Sequence, residues 1–312
     1  MTMTSSPVTR ETKPQQRGVQ YRRRSFLLLG AGLLTLGGGL LWRYSYPRPT
    51  ELYSETIRLG EESFQIGVEA FHPEDATGDS PRPAIILLHG VEGPHRYKSA
   101  RYAAADMLRD QGYSVFIIHY FDSTNYDDLY LITEENKLDV DAIERVRLTD
   151  YRRWVSTITQ VIEAIARRPD IDPERIAING YSLGGFTALA VAQECQVNDQ
   201  LPNIRAVVVN WGAMWKETEF TAGFPPTQFV HGKRDQIIPV DWAHETIRLL
   251  RSVGTAADIY LVPAHLVPYP GHTARSEESD RITRAFLAHH FRYSQVGQTP
   301  IPTNSLASLP PW

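Results

Sequence analysis

The residues most able to do chemistry are a lone serine set between glycines, with an aspartate and two histidines further along the chain. Ser182 stands in Gly180-Tyr181-Ser182-Leu183-Gly184. Before it, Ile176, Ala177 and Ile178 form a short buried-strand pattern, and after it Leu183, Phe186, Ala190 and Val191 recur at helical spacing. A strand therefore turns into a helix with almost no loop. A serine at the apex of so tight a turn is held in a strained backbone conformation with its hydroxyl lifted clear of the sheet, and Gly180 and Gly184 let the two elements approach closely. The pattern G-x-S-x-G between strand and helix marks a nucleophile. The competing reading is a glycine-rich helix start with Ser182 as its cap.

A serine hydroxyl needs a base to take its proton, and the base needs a carboxylate to fix its tautomer and stabilise its cation. In this architecture the chain order is serine, acid, histidine. Asp235, in "FVHGKRDQIIP", follows a strand pattern and precedes a helix, where the acid should project; Asp241 suits the helix N-terminus better. Two histidines follow, His265 in "VPAHLV" and His272 in "YPGHTA". Pro270 and Gly271 make a turn that frees the His272 ring from the sheet, which favours His272, although spacing alone leaves His265 open. Negative charge developing on a carbonyl oxygen must be met by backbone N–H groups. Leu183, directly after the serine, should supply one and Val91, in "LLHGVEG", the other. His89 reads as a loop-shaping residue. Glu92 is either a substrate contact or, the favoured reading, a solvated loop acid.

These groups need a scaffold. "AIILLHG", "YSVFIIHY", "RIAINGY", "IRAVVVNWG", "PTQFVHG" and "ADIYLVP" read as strands buried on both faces. They alternate with the helical patterns "YKSARYAAADMLRDQG", "YRRWVSTITQVIEAIARR" and "PVDWAHETIRLLRSVG". Such alternation predicts a mostly parallel sheet covered by helices on both faces, with ligands beyond the carboxyl ends of the strands. Two further strands in "ETIRLGEESFQIGVEAF" precede it after a linker over residues 47–54. The domain runs over residues 55–292, followed by a tail over 293–312, and no large helical cap domain is evident. Two segments are placed to shape specificity: the acidic, aromatic stretch "YFDSTNYDDLYLITEENKLDVDAIERV", and "NWGAMWKETEFTAGFPP". Tyr181, Trp211 and Trp215 are candidate substrate contacts, with core packing as the alternative for each aromatic.

Taken together, "LLHGVEG", "GYSVFIIHYFD", "INGYSLGGFTAL", "FVHGKRDQIIP" and "YPGHTA" resemble the α/β-hydrolase superfamily, and within it the dienelactone hydrolase-like branch, over roughly residues 55 to 292. The resemblance implies the eight-stranded α/β-hydrolase fold and hydrolysis of a small-molecule ester through an acyl-enzyme, without metal or cofactor. Dienelactone hydrolases proper use cysteine at the elbow, whereas this chain has Ser182, so ester hydrolysis carries over and the dienelactone substrate does not. Two alternatives share these residues: a peptidase of the same fold, and a membrane-tethered binding protein without turnover. Fold alone does not separate them.

The chain has 312 residues, 42% hydrophobic and 22% charged, enough for one full α/β core. Its 32 Lys+Arg and 36 Asp+Glu are unevenly spread: residues 1–46 hold 7 and 1 of them, which leaves an acidic body with 25 against 35. That balance does not suggest a nucleic-acid partner. The lone Cys195 cannot form an internal disulfide and reads as a packing residue. The basic excess sits beside Arg23-Arg24-Ser25-Phe26-Leu27, which resembles the twin-arginine export signature, followed by an apolar run to Trp42 interrupted by five glycines. At 1.5 Å per residue this run spans about 25 Å, slightly short of a bilayer core. Residues 1–46 are accordingly read as an export signal or membrane anchor, with the retained anchor favoured because no A-x-A site follows. The body would then lie outside the cytoplasmic membrane. Replacing Arg23 and Arg24 together by lysine keeps the positive charge and should strand the protein inside, as fractionation of the producing cell would show; undiminished export rejects the twin-arginine reading.

Overall fold

The computed structural model describes residues 47–74, 80–124, 126, 145–146, 149–267, 270–273 and 275–292. The segment 1–46, the tail 293–312 and most of the acidic stretch after Tyr120 lie outside the described residues. Eight strands form one sheet: β1 (Glu51–Leu59), β2 (Glu62–Phe71), β3 (Arg82–Leu88), β4 (Ser114–Ile118), β5 (Ile171–Tyr181), β6 (Ile204–Asn210), β7 (Thr227–Gly232) and β8 (Ala257–Val262). Their spatial order is β1-β2-β4-β3-β5-β6-β7-β8, antiparallel from β1 to β4 and parallel from there on. The helices are α1 (Lys98–Arg109), α2 (Tyr151–Ala166), α3 (Leu183–Val197), α4 (Val240–Ser252) and α5 (Glu277–Arg292). Among the described residues no cap domain stands over the sheet, and no helix is long and apolar enough to cross a membrane.

The apolar strand runs make sense because each strand feeds two cores at once. Alternate residues of β3 point to opposite faces. Ile85 and Leu87 join Ala104 and Leu108 of α1 and Phe286, Leu287 and Phe291 of α5. Ile86 and Leu88 join Trp154 and Ile158 of α2, Leu189 of α3 and Ile247 of α4. Strand β5 repeats the division, with Ala177 on the first side and Ile176 and Ile178 on the second.

One boundary differs from the sequence reading. β1 begins at Glu51, inside the segment read as linker, and pairs Glu51 with Ala70 at the far end of β2. It is an edge strand, covered on one face only, and its exposed positions include Leu52 and Ser54. The polar alternation that suits such an edge, directly after Pro47 and Pro49, looks like linker composition.

After β1 and β2 the chain runs into β3, steps back to β4 between β2 and β3, then crosses to β5 on the other side of β3. The strand order therefore reverses between β3 and β5, where loops from the two carboxyl ends diverge and leave a crevice. The elbow follows β5 and the loop beginning at His89 follows β3, so the two flank that crevice. Their closeness depends on glycine. A Cβ on Gly184 would collide with the carbonyl oxygens of Leu88 and His89, and one on Gly180 with the backbone of Gly184 and Gly185. Because these neighbours are backbone, nothing flexible can yield. Gly184→Ala should destabilise the fold by about 3 kcal/mol, read from the urea midpoint at unchanged m-value; wild-type stability would show that the helix start has room to move.

Candidate active site

Ser182 follows the last residue of β5 and precedes the first of α3, with φ 52° and ψ −119°. That left-handed backbone is strained for a residue with a Cβ, and such strain persists only where neighbours overdetermine it. Here the Ser182 N–H donates to Asn210 O at 2.9 Å, and Gly185 N–H donates back to Ser182 O at 2.8 Å. The Asn210 side chain in turn donates to Asn179 Oδ1 at 2.6 Å and Gly180 O at 3.1 Å, tying the ends of β5 and β6 together. Ser182 makes no side-chain cap bond to α3, which decides against the helix-cap reading. Its hydroxyl lies 2.8 Å from His272 Nε2.

The candidate acid, Asp235, comes from the turn after β7. Asp235 Oδ1 accepts from the N–H groups of Ile237 and Ile238 at 2.8 and 2.9 Å, and Oδ2 accepts from His272 Nδ1 at 2.8 Å. A carboxylate only accepts, so Nδ1 carries the proton and Nε2 is left as an acceptor facing the Ser182 hydroxyl. His231, fully buried near the end of β7, donates from Nε2 to Ile238 O at 2.9 Å, with Asp235 Oδ2 at 3.3 Å. Burial of Asp235 alone would raise its pKa, but the bonds from His231, His272 and the Ile238 amide outweigh it and hold the carboxyl well below the usual range.

Pro270 and Gly271, just before His272, dock directly on the turn that carries Asp235. Gln236 N–H donates to Pro270 O at 3.0 Å. Gly271, at φ 87°, lies so close to the Arg234 carbonyl that a Cβ would come within 2.5 Å of it. The ring of Trp211 stands edge-on to His272, centroids 6.4 Å apart. His265 sits exposed in the turn Ala264–Leu266, and the bonds to Asp235 and Ser182 go to His272 instead.

On the other side of the serine, Leu183 is the first residue of α3, where helix geometry leaves an N–H without an intrahelical acceptor. Val91 lies in the turn closed by Gly93 N–H donating to Gly90 O at 3.1 Å. His89 shapes this loop from a fully buried position: its Nδ1 donates to Gly90 O at 2.9 Å and its ring stacks on Tyr120 at 4.1 Å. Burial holds its pKa well below the usual histidine value, so the ring is neutral. Glu92 is not the solvated loop acid favoured from sequence. Its carboxylate turns inward to accept from Gly90 N–H at 3.2 Å and from Arg101 at 3.1 Å.

The aromatic candidates pack rather than line an open rim. Trp215 is buried between Tyr151 and Phe186, and Trp211 is buried between Tyr181 and His272. The Tyr181 hydroxyl lies 3.3 Å from Asn179 Nδ2, which donates to it. Three contributors went unread in the sequence: Asn210, His231 and Arg101. The first two carried a signal, a polar residue at the carboxyl end of an otherwise apolar strand.

Strand order, elbow and the serine–histidine–aspartate chain together define an α/β-hydrolase. The model of the dienelactone hydrolase family matches residues 67–281, and the chain belongs to that family. Among curated proteins it is similar to "Uncharacterized peptidase YuxL" of Bacillus subtilis (strain 168), 25% identical over 287 residues, covering 72% of this chain and spanning 41% of that protein's length. Among solved structures it shares its fold with the putative dienelactone hydrolase of Klebsiella pneumoniae, 18% identical with TM-score 0.52, covering 78% of this chain and 99% of that one. It also shares it with Thermogutta terrifontis esterase 2 phosphonylated by cyclosarin, 12% identical with TM-score 0.58, covering 81% and 98%.

The lowered pKa of Asp235 has a consequence for stability. A carboxyl whose folded pKa lies below its unfolded one contributes stability above the unfolded value of about 3.9, and loses it as pH falls towards the folded value. The stability advantage of wild type over Asp235→Asn in urea should therefore be full at about pH 5 and shrink steadily below about pH 4. An advantage independent of pH down to about pH 2 would mean that the ionised carboxylate is not what the turn holds.

Proposed function

We propose that this hydrolase cleaves carboxylic esters through an acyl-enzyme on Ser182. The observation that carries the reading is the unbroken chain Ser182 Oγ, His272 Nε2, His272 Nδ1, Asp235 Oδ2, with 2.8 Å at each hydrogen bond. In the first half-reaction the Ser182 proton passes to His272 Nε2 as Oγ attacks the ester carbonyl. Charge gathering on the carbonyl oxygen is met by the N–H groups of Leu183 and Val91. His272 then gives the proton to the departing alkoxide, and the alcohol leaves. In the second, His272 takes a proton from water, hydroxide attacks the acyl carbon, and the proton returns to Ser182 as the acid departs. Asp235 stays ionised throughout and stabilises the imidazolium.

A second reading, cleavage of peptide amides, draws on the likeness to a relative named as a peptidase. Both use the same triad and differ in the leaving group His272 must protonate. Turnover across matched ester and amide substrates decides between them; hydrolysis of esters of varied acyl length with amides untouched supports the esterase.

Ser182→Ala should keep the fold and lose at least about ten-thousand-fold in kcat, and His272→Ala should do the same, while His265→Ala should turn over normally. A fluorophosphonate should label wild type and leave Ser182→Ala unlabelled. A folded wild type that neither labels nor turns over any ester would reject the catalytic reading and favour a binding protein on a hydrolase fold.

A further inference from the structure

The loop between β3 and α1 holds an ion pair, buried at its arginine and half-buried at its glutamate, that proton transfer along the triad does not use. Arg101, on α1, is only 5% exposed. Its Nη1 donates to Glu92 Oε1 at 3.1 Å, and its Nη2 donates to Arg96 O at 2.7 Å and to Pro94 O. One guanidinium thus gathers three points of the segment 92–96. Burying a cation is costly: desolvation pulls the Arg101 pKa down, against the opposing pull of Glu92. Well-packed apolar side chains of similar volume often stabilise as much or more, so fold stability alone is a weak reason for such a pair.

Its position supplies a better one. A Cβ built on Gly90 would overlap Glu92 Oε2 and lie 3.2 Å from Ser182 Cβ, so the carboxylate and the serine face each other across a glycine. The next residue is Val91, whose amide receives the carbonyl oxygen in the mechanism above. A carboxylate here stands beside the place where a second negative charge must develop. Unpaired, it would oppose that charge through a poorly screening medium. Paired with Arg101 it is neutralised, and it still accepts the Gly90 N–H that holds the turn in shape.

We infer that Arg101 is a positioning residue for the oxyanion site, fixing the Gly90–Gly93 turn through Glu92 and cancelling the Glu92 charge beside Ser182. The inference rests on the serine-esterase reading. A group acting on the developing oxyanion changes transition-state stabilisation and leaves ground-state binding largely alone.

The test compares full-length wild type, Arg101→Met and the double variant Glu92→Gln/Arg101→Met on a p-nitrophenyl ester, with an alkyl trifluoromethyl ketone as a mimic of the tetrahedral adduct. Arg101→Met should lower kcat about 30-fold with KM within about threefold, and ketone affinity should fall in proportion to kcat/KM. Removing the stranded carboxylate in the double variant should return about fivefold or more of the lost kcat, a recovery that a packing role would not produce. Wild-type kcat in Arg101→Met, or a loss that the double variant does not relieve, overturns the inference while labelled, active wild type leaves the esterase reading standing. An inactive, unlabelled wild type removes both. Should Arg101→Met fail to fold, Arg101→Lys keeps the charge but reaches fewer acceptors and should lose about fivefold in kcat at unchanged KM; wild-type kcat in it overturns the positioning claim.

Discussion

The closeness of α3 to the ends of β3 and β5 is the constraint from which the site follows. Gly184 lies against the Leu88 and His89 carbonyls, and Gly180 against Gly184 and Gly185, with no room for a Cβ at either. A chain brought that close can pass from strand to helix only by taking one residue through positive φ, and Ser182 takes it. The hydroxyl is then aimed away from the helix it would otherwise cap. The same contact sets the start of α3 beside the loop after β3, so the proposed nucleophile and both proposed oxyanion amides are placed by one packing event. The strain at Ser182 is offset by the bond to Asn210 O and the network around the Asn210 side chain.

The proposed acid and base, Asp235 and His272, depend on a second contact of the same kind. Gly271 packs on the Arg234 carbonyl, and Pro270 O accepts from Gln236 N–H, so the loop after β8 is seated on the turn after β7. Asp235 is consequently saturated with donors before His272 is counted: two amides on Oδ1, and His231 near Oδ2. Orientation of the imidazole thus comes from a carboxylate that cannot itself turn. The two halves of the site meet at the bond between Ser182 and His272 and at the Trp211 ring, which stands between Tyr181 and His272.

Much of this was legible because the chemistry imposes local signatures. Gly180, Ser182 and Gly184 announce a close approach, and Asp235 and His272 each follow a strand and a turn residue. Burial on both faces made β3 to β8 readable as apolar runs. What stayed hidden were contacts between distant segments. Glu92 in a glycine-rich loop has the composition of a solvated acid, and only the fold brings Arg101, nine residues later on α1, underneath it. Trp211 and Trp215 follow a strand at the active end of the sheet, yet the rings turn towards His272 and Phe186. Sequence position names the end of the sheet; rotamer and neighbours decide the face. The start of β1 was missed because an edge strand with one wet face needs no apolar run.

A serine at the elbow, rather than a thiol, sets what the surrounding groups must do. A thiol ionises near pH 8.5 and reaches its nucleophilic form with modest help. A serine hydroxyl is a far weaker acid and loses its proton only as attack occurs, to a base already aligned. That base becomes an imidazolium in the transition state, so its partner must be ionised and fixed beforehand. Asp235 meets both conditions: its carboxyl is held well below the usual pKa range, and its side chain is wholly buried among donors. His231 bears on the same requirement, since an imidazole beside Oδ2 and bonded to Ile238 O stiffens the turn that carries the acid. The donors around Asp235 are thus suited to the demands of a serine nucleophile.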